Sequence, residues 1–381
     1  MHDRNTLMKY FLSAGEASGD LHASELIGAL RKHDPSAEFC FLGGDLMESK
    51  AGKKPLVHYR QMAFMGFVDV LMNLKTVLGN LNAAKRGIEQ FQPDALILVD
   101  YPSFNLKLAE FAAKKGIPVY YYISPKVWAW KEHRVKTIKK LVRRVYSILP
   151  FEVEYFRGKG YDVTYVGNPS KNEVDRKLTS MTDGESFRHT FGLDSRPIIA
   201  LVPGSRVSEI KKNLPVMLSA VKGYADYQPV IAAAPSISTD LYAEIAPGVA
   251  LCSDTFALEY HSAAALVTSG TATLEAALIG TPQIVTYRAV GSRLVYNIFK
   301  HILKVKYVSL PNLIMDKMIV PELLLHQCTP ENIRKHLDQL LPGGKGREAQ
   351  IRGYGELRAL LGDTDAAETT AAHIITDLET V

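Results

Sequence analysis

The chain has 381 residues, of which 47% are hydrophobic and 22% are charged, with a formal net charge of +5. This length exceeds one ordinary hydrophobic core and fits two domains, and the composition is typical of a globular protein rather than a disordered one. No apolar run approaches the roughly 18 residues that cross a bilayer, and the N-terminus lacks the apolar core of a signal peptide, so we expect a cytoplasmic protein. The cysteines Cys40, Cys252 and Cys328 are far apart and lack zinc-ligand spacing, which indicates reduced thiols.

The first half of the chain alternates apolar runs with helical patterns, which is typical of a parallel, doubly wound sheet. Strands are predicted at residues 8–14, 38–42, 95–100, 119–123, 144–149 and 162–166. Helices are predicted at residues 21–32, 67–91, 104–115, 130–142 and 152–158. A polar stretch over residues 170–196 then indicates a domain boundary.

The turn after the first strand carries polar side chains at the start of a helix. Glu16, Ser18 and Asp20 lie in this turn, where backbone N–H groups can face a ligand. The two acids disfavour a pyrophosphate, so we interpret these three residues as candidates for binding sugar hydroxyls. An N-capping turn without a ligand is the alternative.

The positive charge is concentrated in one segment of this half. Residues 131–144 include seven Lys or Arg and a single acid, Glu132, which gives the segment a net charge of +6. Helical spacing predicts a basic amphipathic helix, with Lys136, Lys140 and Arg143 on its polar side. Such a helix suits an anionic lipid surface or a phosphorylated glycolipid, and a solvated helix face is the alternative. No nucleic-acid-binding module accompanies it, so we expect no nucleic-acid partner.

The same alternation restarts in the second half of the chain. Strands are predicted at residues 197–203, 228–233, 249–252, 264–268 and 283–286. Helices are predicted at residues 211–224, 238–245, 255–261 and 272–280, with further helices near 331–341, 346–360 and the C-terminus. We therefore predict an α/β chain with two Rossmann-like, doubly wound domains.

Seven motifs occur in the order in which one known family has them. They are SAGEASGD at residues 13–20, MGFVDVL at 65–71, SPKVWAW at 124–130, LPFE at 149–152, PGSR at 203–206, SGTATLE at 269–275 and YVSLPNL at 307–313. Each motif is weak evidence alone, but seven in order are strong. By these motifs the chain resembles the lipid-A-disaccharide synthase family, the inverting glycosyltransferases of outer-membrane lipid A assembly in Gram-negative bacteria.

The resemblance implies the GT-B fold, with two Rossmann-like domains facing each other across a cleft. The domains would be an acceptor- and membrane-facing domain at 1–170, a linker at 171–196, a UDP-sugar domain at 197–345 and helices at 346–381 that pack back on the first domain. The implied reaction joins UDP-2,3-diacylglucosamine to 2,3-diacylglucosamine 1-phosphate and gives the β-1,6 disaccharide 1-phosphate and UDP, with no cofactor and no metal. The protein would sit peripherally at the inner membrane, and a homodimer is left open.

The resemblance also implies a catalytic carboxylate. Asp100 follows the predicted strand at 95–99 and matches the first acid of the family pattern Asp-x-Pro-Asp-Phe-Asn, so we predict that it is the general base. The second acid of that pattern is replaced by Ser103, which argues against a mechanism that needs both carboxylates.

A donor site is predicted in the second half. Arg206, after Ser205, supplies a fixed cation for the departing diphosphate, and a helix start at 269–275 offers hydroxyl and N–H groups. The residues expected to bind the UDP-sugar here are Ser205, Gly270, Thr271, Thr273, Glu275, Tyr287, Arg288 and Asn312. Glu275 would accept the ribose hydroxyls, and its alternative is a capping box.

A methionine- and phenylalanine-rich run and the two tryptophans suggest contact with acyl chains or a membrane. The residues concerned are Met62, Phe64, Met65, Phe67, Trp128 and Trp130. Ordinary core packing is the alternative for all of them. Two rival functions remain, a GT-B enzyme on soluble UDP-sugars such as an epimerase, and a catalytically inactive lipid-binding protein.

Overall fold

The computed structural model describes residues 7–62, 74–128, 132–288 and 306–380. They form two compact units. The first unit contains the described residues up to Pro169 together with those from Asp363 onward, and the second contains Ser170–Gly362. Among the described residues, no helix is both long enough and apolar enough to cross a membrane.

The first unit is built on a parallel sheet with the order β3-β2-β1-β4-β5-β6-β7. Its strands are β1 (Lys9–Ala14), β2 (Glu38–Gly43), β3 (Val57–His58), β4 (Ala95–Val99), β5 (Val119–Tyr122), β6 (Arg144–Ser147) and β7 (Thr164–Tyr165). The central strands β1 and β4 are almost entirely buried because helices cover both faces of the sheet, as parallel sheets require. Leu12 of β1 pairs with Phe41 of β2 on one side and with Ile97 of β4 on the other.

The helices of the first unit fill two cores, one on each face of the sheet. They are α1 (Ala17–His33), α2 (Asp45–Ala51), α3 (Leu74–Phe91), α4 (Pro102–Lys114), α5 (Arg134–Leu141), α6 (Pro150–Arg157) and the C-terminal helix (Ala366–Glu379). The C-terminal helix packs beside α1, and its Ile374 is fully buried in the same core as Leu12. The last helix of the chain is therefore part of the first unit.

The second unit is built on a parallel sheet with the order β10-β9-β8-β11-β12-β13. Its strands are β8 (Ile198–Val202), β9 (Gln228–Ala232), β10 (Ala250–Cys252), β11 (Ser262–Thr268), β12 (Gln283–Tyr287) and β13 (Glu322–Leu324). Its helices are α7 (Pro169–Leu178), α8 (Gly184–Phe191), α9 (Val207–Val221), α10 (Thr239–Ile245), α11 (Thr255–Tyr260), α12 (Ala272–Ile279), α13 (Leu310–Met315), α14 (Pro330–Leu340) and α15 (Arg347–Leu361).

The prediction of two α/β domains with parallel sheets is confirmed. Three features differ from the prediction. The segment 171–196, expected as a linker, forms most of α7 and all of α8 and clusters with the second unit. Helix α15 also belongs to the second unit, so only the helix after residue 363 returns to the first. Helices α2 and α13 and strands β3 and β13 were not predicted, because they are short and lack a periodic pattern.

Candidate active site

Both sheets reverse their winding direction between their first and fourth strands in chain order. In the first unit this switch lies between β1 and β4, and in the second it lies between β8 and β11. Ligands of open α/β sheets bind at the carboxyl ends of the strands at such switch points. The turns that follow these four strands are 15–20, 100–105, 203–206 and 269–275, the same turns that the sequence singled out.

The turn after β4 holds Asp100 in an unusual backbone conformation. Asp100 and Tyr101 have φ angles of 43° and 47°, in the left-handed region that non-glycine residues rarely adopt. The fully buried amide of Asn105 supports this turn, because its Nδ2 donates to the Asp100 carbonyl at 2.8 Å and its Oδ1 accepts from the Ser13 hydroxyl at 2.7 Å. The Tyr121 hydroxyl donates to the same carbonyl at 2.6 Å. These contacts tie the ends of β1, β4 and β5 together at Asp100.

The turn after β1 lies directly against Tyr101. A Cβ atom on Gly15 would lie 2.3 Å from the Tyr101 ring, so only glycine allows this close approach. The Tyr101 hydroxyl in turn donates to the Met62 carbonyl at 2.6 Å. The structure therefore brings the turns after β1 and β4 together.

Asp20 has a structural role that the sequence interpretation did not assign to it. Its carboxylate is only 2% exposed and accepts from the backbone N–H groups of Gly44, Leu46 and Met47 at 2.7, 3.1 and 3.2 Å. Asp20 thus caps α2 from outside that helix. Its expected contact with substrate is not supported, because its oxygens already face these donors. Ser18 is exposed and Glu16 is half-buried at the start of α1, so both stay candidates.

The environment of Asp100 suits a general base. Burial raises the pKa of its carboxyl, and the positive charge of Lys126 opposes that rise. Lys126 is exposed and follows β5, the strand next to β4. A base with a raised pKa takes up a proton more readily, and the nearby cation favours the ionised form that can accept it.

Arg134 contacts the start of α4 beside the Asp100 turn, and the sequence interpretation missed this contact. Its Nη2 donates to the Ser103 hydroxyl at 2.9 Å, and its charge acts on the Tyr121 side chain beneath Asp100. The residues are 31 positions apart in the sequence, so no local pattern reveals the contact. One signal in the sequence could have pointed to this contact. Ser103 stands where the family pattern has an acid, so a cation that contacts this position has no carboxylate there.

Glu152 is a second residue whose role was missed. It is only 1% exposed, and its carboxylate accepts from Trp128 Nε1 at 2.9 Å and from the Ser147 hydroxyl. Burial raises the pKa of the Glu152 carboxyl to about 7, although these hydrogen bonds favour its charged form. Glu152 therefore holds Trp128, on the loop after β5, against β6 and α6.

The turn after β8 presents Arg206 to solvent. Gly204 has a φ of +110°, and a Cβ there would lie 2.6 Å from a carboxylate oxygen of Glu209, so the turn requires glycine. Glu209 accepts from Arg206 Nη1 at 2.7 Å and from the Ser205 N–H at 3.2 Å. Arg206 and Ser205 are both exposed, and Glu209 orients the guanidinium at the edge of the sheet.

The turn after β11 contributes the start of α12. Gly270 and Thr271 are exposed, and the Thr271 side chain makes no capping hydrogen bond. Thr273 is fully buried and its hydroxyl donates to the Gly270 carbonyl at 2.8 Å, so its expected contact with the donor is not supported. Burial raises the pKa of the Glu275 carboxyl, and Lys177 opposes the rise. Glu275 remains a ribose candidate, and the capping-box alternative lacks the Thr271 bond it needs.

Two residues at the end of β12 complete this edge, whereas a third predicted residue lies elsewhere. Tyr287 and Arg288 are exposed, and the Arg288 N–H donates to Asn213 Oδ1 at 2.7 Å. Asn312 is fully buried, and its amide bonds to the backbone of Val320 and to Glu322. The Asn312 side chain thus holds a loop in place, and the prediction that it presents an amide to the donor is not supported.

Of the basic residues predicted to contact a membrane, two are exposed and one is held in an ion pair. Lys136 and Lys140 are exposed on α5, whose Val135 and Ile138 are buried, as the amphipathic pattern predicts. Arg143 instead pairs with the buried Asp377 of the C-terminal helix, which also accepts from Arg144 and Tyr120.

The apolar candidates for membrane contact are mostly placed in the interior or outside the described residues. Met62 is 2% exposed in the core, and Trp128 stacks edge-on against Phe151 while it bonds to Glu152, so neither is a free surface group. The remaining candidates lie outside the described residues. They are Phe64, Met65, Phe67 and Trp130.

Relatives of known name match the chain along almost its full length. A family model described as lipid-A-disaccharide synthetase matches residues 10–373. A lipid-A-disaccharide synthase from Syntrophus aciditrophicus is 40% identical over 374 residues, covering 95% of this chain and 96% of the relative. One from Myxococcus xanthus is 38% identical over 381 residues, covering 95% of each chain.

The fold has relatives among solved structures. A UDP-GlcNAc 2-epimerase from Neisseria meningitidis, bound to UDP-GlcNAc, superposes with a TM-score of 0.68 at 14% identity and covers 98% of this chain and 100% of its own. At this identity the likeness shows the shared GT-B fold and not a shared reaction. The sequence relatives do not favour the epimerase-like or the inactive alternative. The family match over nearly the whole chain shows that this protein belongs to the lipid-A-disaccharide synthetase family and is a glycosyltransferase.

Proposed function

We propose that this protein joins UDP-2,3-diacylglucosamine to 2,3-diacylglucosamine 1-phosphate, forming the β-1,6-linked lipid A disaccharide 1-phosphate and UDP. The observation that carries the proposal is the family match from residue 10 to residue 373, which includes both switch-point turns of both units. A shared fold alone would not support a substrate, because one fold serves many reactions.

Asp100 is the proposed general base. It removes the proton from the acceptor hydroxyl as that oxygen attacks the anomeric carbon of the donor, and the bond from that carbon to UDP breaks in the same displacement. Its position at the switch point of the first sheet and its raised pKa support this role. A single displacement inverts the anomeric centre, which accounts for a β-linked product from an α-linked donor.

Arg206 is the proposed group that stabilises the departing UDP. Its guanidinium is exposed and oriented by Glu209, and the exposed N-terminus of α12 at Gly270 and Thr271 offers further donors to a diphosphate. Glu275 is proposed to accept the ribose hydroxyls, with Ser205, Tyr287 and Arg288 around the nucleotide. No step in this scheme requires a metal.

The proposed reaction is tested by measuring UDP release with and without acylated acceptor. UDP should appear only when UDP-2,3-diacylglucosamine and detergent-dispersed 2,3-diacylglucosamine 1-phosphate are both present, with the disaccharide as product. Conversion of UDP-GlcNAc without an acceptor would favour an epimerase instead. Binding of both lipids without any UDP release would favour the inactive lipid-binding protein.

The proposed donor site is tested by calorimetry with UDP. Arg206→Ala and Glu275→Ala should each weaken UDP binding by about 1–3 kcal/mol, the usual cost of losing a hydrogen bond to a charged group. Lys345→Ala, which removes an exposed cation of the same unit, is the matched control and should leave the affinity unchanged. Unchanged UDP affinity in both site variants would place the nucleotide elsewhere.

We further propose that the protein works at the cytoplasmic face of the inner membrane, held in part by the exposed lysines of α5. Each basic residue near an anionic surface contributes about 1 kcal/mol, so Lys136→Gln with Lys140→Gln should reduce sedimentation with anionic liposomes. Salt should reduce the sedimentation of the parent as well. Liposome binding that is unaffected by both changes would assign the attachment to other residues. Light scattering would show whether the protein is a homodimer, which the sequence leaves open.

A further inference from the structure

Two cations lie near the end of β4, because Lys126 acts on the Asp100 carboxyl and Arg134 acts on the Tyr121 side chain that bonds to the Asp100 carbonyl. Within the ranges that the structure describes, Lys126 and Arg134 form no salt bridge. Other cations of the first unit do have acidic partners: Lys159 pairs with Glu132, and Arg143 and Arg144, at the start of β6, pair with Asp377.

Two different elements that follow β5 carry these cations. Lys126 is on the loop after β5, and its charge acts on the carboxyl of Asp100. Arg134 begins α5, and its guanidinium is half-buried between the Ser103 hydroxyl and the Tyr121 side chain. Ser103 adds a hydroxyl beside the guanidinium, where the family pattern has an acid that would neutralise it. The result is a positively charged cluster beside the turn that holds the proposed base.

We propose that Lys126, Arg134 and Ser103 form a subsite for the phosphate monoester of the acceptor glycolipid. The inference rests on the proposed function, because it assigns one group of that acceptor. The attacking hydroxyl and the phosphate belong to one sugar ring, so a phosphate site must lie within one ring's length of the base. A guanidinium and an ammonium beside a hydroxyl supply the charge-assisted hydrogen bonds that a dianionic phosphate favours.

The experiment compares binding of two dispersed lipids, 2,3-diacylglucosamine 1-phosphate and 2,3-diacylglucosamine, in neutral detergent by calorimetry. The parent should prefer the phosphorylated lipid. Lys126→Gln and Arg134→Gln should each weaken binding of the phosphorylated lipid by about 10- to 100-fold, the usual range for a lost charge-assisted hydrogen bond. Neither should change binding of the lipid without phosphate or of UDP.

Two further variants sharpen the comparison. Lys54→Gln removes an exposed cation of the same unit before β3, at the opposite edge of the sheet, and should change neither affinity. Ser103→Asp places a carboxylate next to Arg134 and should weaken the phosphorylated lipid alone. Thermal unfolding of the Lys126, Ser103 and Lys54 variants should match the parent, since these three residues are exposed.

The outcomes separate the subsite from the proposed reaction. Equal losses for both lipids, or no loss in either variant, would overturn the subsite. Loss of binding to phosphatidylglycerol vesicles with intact binding of the phosphorylated acceptor would overturn it in favour of a general contact with anionic lipid. Because calorimetry needs no turnover, a protein that shows the expected selectivity but releases no UDP would keep the subsite and contradict the reaction.

Discussion

Asp100 shows how a reactive side chain is fixed by its backbone. Both Asp100 and Tyr101 adopt the left-handed region, which costs on the order of 1 kcal/mol or more for each non-glycine residue. Asn105 and Tyr121 offset this cost, because both donate to the Asp100 carbonyl and hold the turn in this conformation. Sites that hold such strain are often functional sites, since ordinary packing would relax it.

The first prediction concerns this carboxylate. Asp100→Asn should retain the fold and UDP binding but lower kcat by about 10²- to 10⁴-fold, the usual contribution of a general base. Because burial raises the pKa of Asp100, the acidic limb of the parent's pH–rate profile should lie above the ordinary pKa of an aspartate. Removing the opposing charge with Lys126→Gln should move that limb to higher pH still.

A pH–rate profile measured from pH 4 to 9 tests both statements. The exposed Lys54→Gln serves as the control and should leave the limb where it is in the parent. Asp100 would not be the base if the acidic limb of the pH–rate profile were at the same pH in Lys126→Gln as in the parent. Near-normal turnover in Asp100→Asn would contradict the role as well.

At the level of single residues, the sequence distinguished poorly between polar groups that bind ligands and polar groups that serve the fold. Asp20, Thr273 and Asn312 look like ligand groups in the sequence because they lie in turns, yet each is buried and bonded to backbone. A cap and a ligand contact use the same residue types at the same positions. Only the three-dimensional partners, some of them far along the chain, separate the two cases.

Among the elements, the link between the loop after β5 and helix α6 stands out. Glu152 on α6 accepts from Trp128 on that loop and from Ser147 at the end of β6. A buried carboxylate is a costly way to join elements, because its charged form is poorly solvated there. The pKa of about 7 means that this cost varies across the pH range in which the protein works.

The second prediction follows from the sign of that shift. Below about pH 4.5 the Glu152 carboxyl is protonated in both states, and between about pH 4.5 and 7 the unfolded chain loses its proton while the native protein keeps it. The stability of the parent therefore falls across this window and changes no further above it. Glu152→Gln, which can accept from Trp128 and donate to Ser147, removes this loss.

Denaturant unfolding of parent and variant at pH 4 and pH 8 measures the effect. Relative to the parent, Glu152→Gln should gain about 3 kcal/mol in unfolding free energy between these two pH values. Glu154→Gln, on the same helix but exposed, should show no such gain. A difference that is independent of pH would contradict the buried, proton-binding state of Glu152.

Long elements were predictable because their patterns are regular, and short ones were not. The apolar runs of β1 and β4 and the periodic α9 and α14 match their predicted positions within a few residues. Helix α8 was missed although its ends carry clear signals, an Asp183 side chain that caps its start and Gly192 with a φ of 62° at its end. The polar composition of 170–196 outweighed those signals and suggested a linker.

On the scale of the whole molecule, the first unit is discontinuous in sequence. Its sheet comes from the first 165 residues, but the helix Ala366–Glu379 fills one of its two cores. Ile374 is fully buried there, and Asp377 accepts from Tyr120 at 2.7 Å and from two arginines beside β6. The stability of the first unit therefore depends on residues that follow the entire second unit.

The third prediction tests this dependence with a matched pair of substitutions. Ile374→Ala should cost about 2–5 kcal/mol, as for other large-to-small core changes, and should lower the hydrogen-exchange protection of β1 and β4. Ile351→Ala, the same change at a 42% exposed position on α15, should cost much less and leave these strands protected. Equal losses in the two variants, or a loss confined to β8 and β11, would contradict the assignment of the last helix to the first core.

Because the first unit is discontinuous in sequence, it cannot complete its folding until the end of the chain has been synthesised. A ribosome makes the strands β1 to β7 first, but the helix that closes one face of their sheet emerges only after the second unit, roughly 10–40 s later at ordinary elongation rates. The second unit is continuous and can complete its folding in that interval. The nascent first unit meanwhile exposes the apolar side of α1, a surface that chaperones recognise, so the earliest residues of this enzyme are among the last to reach their native state.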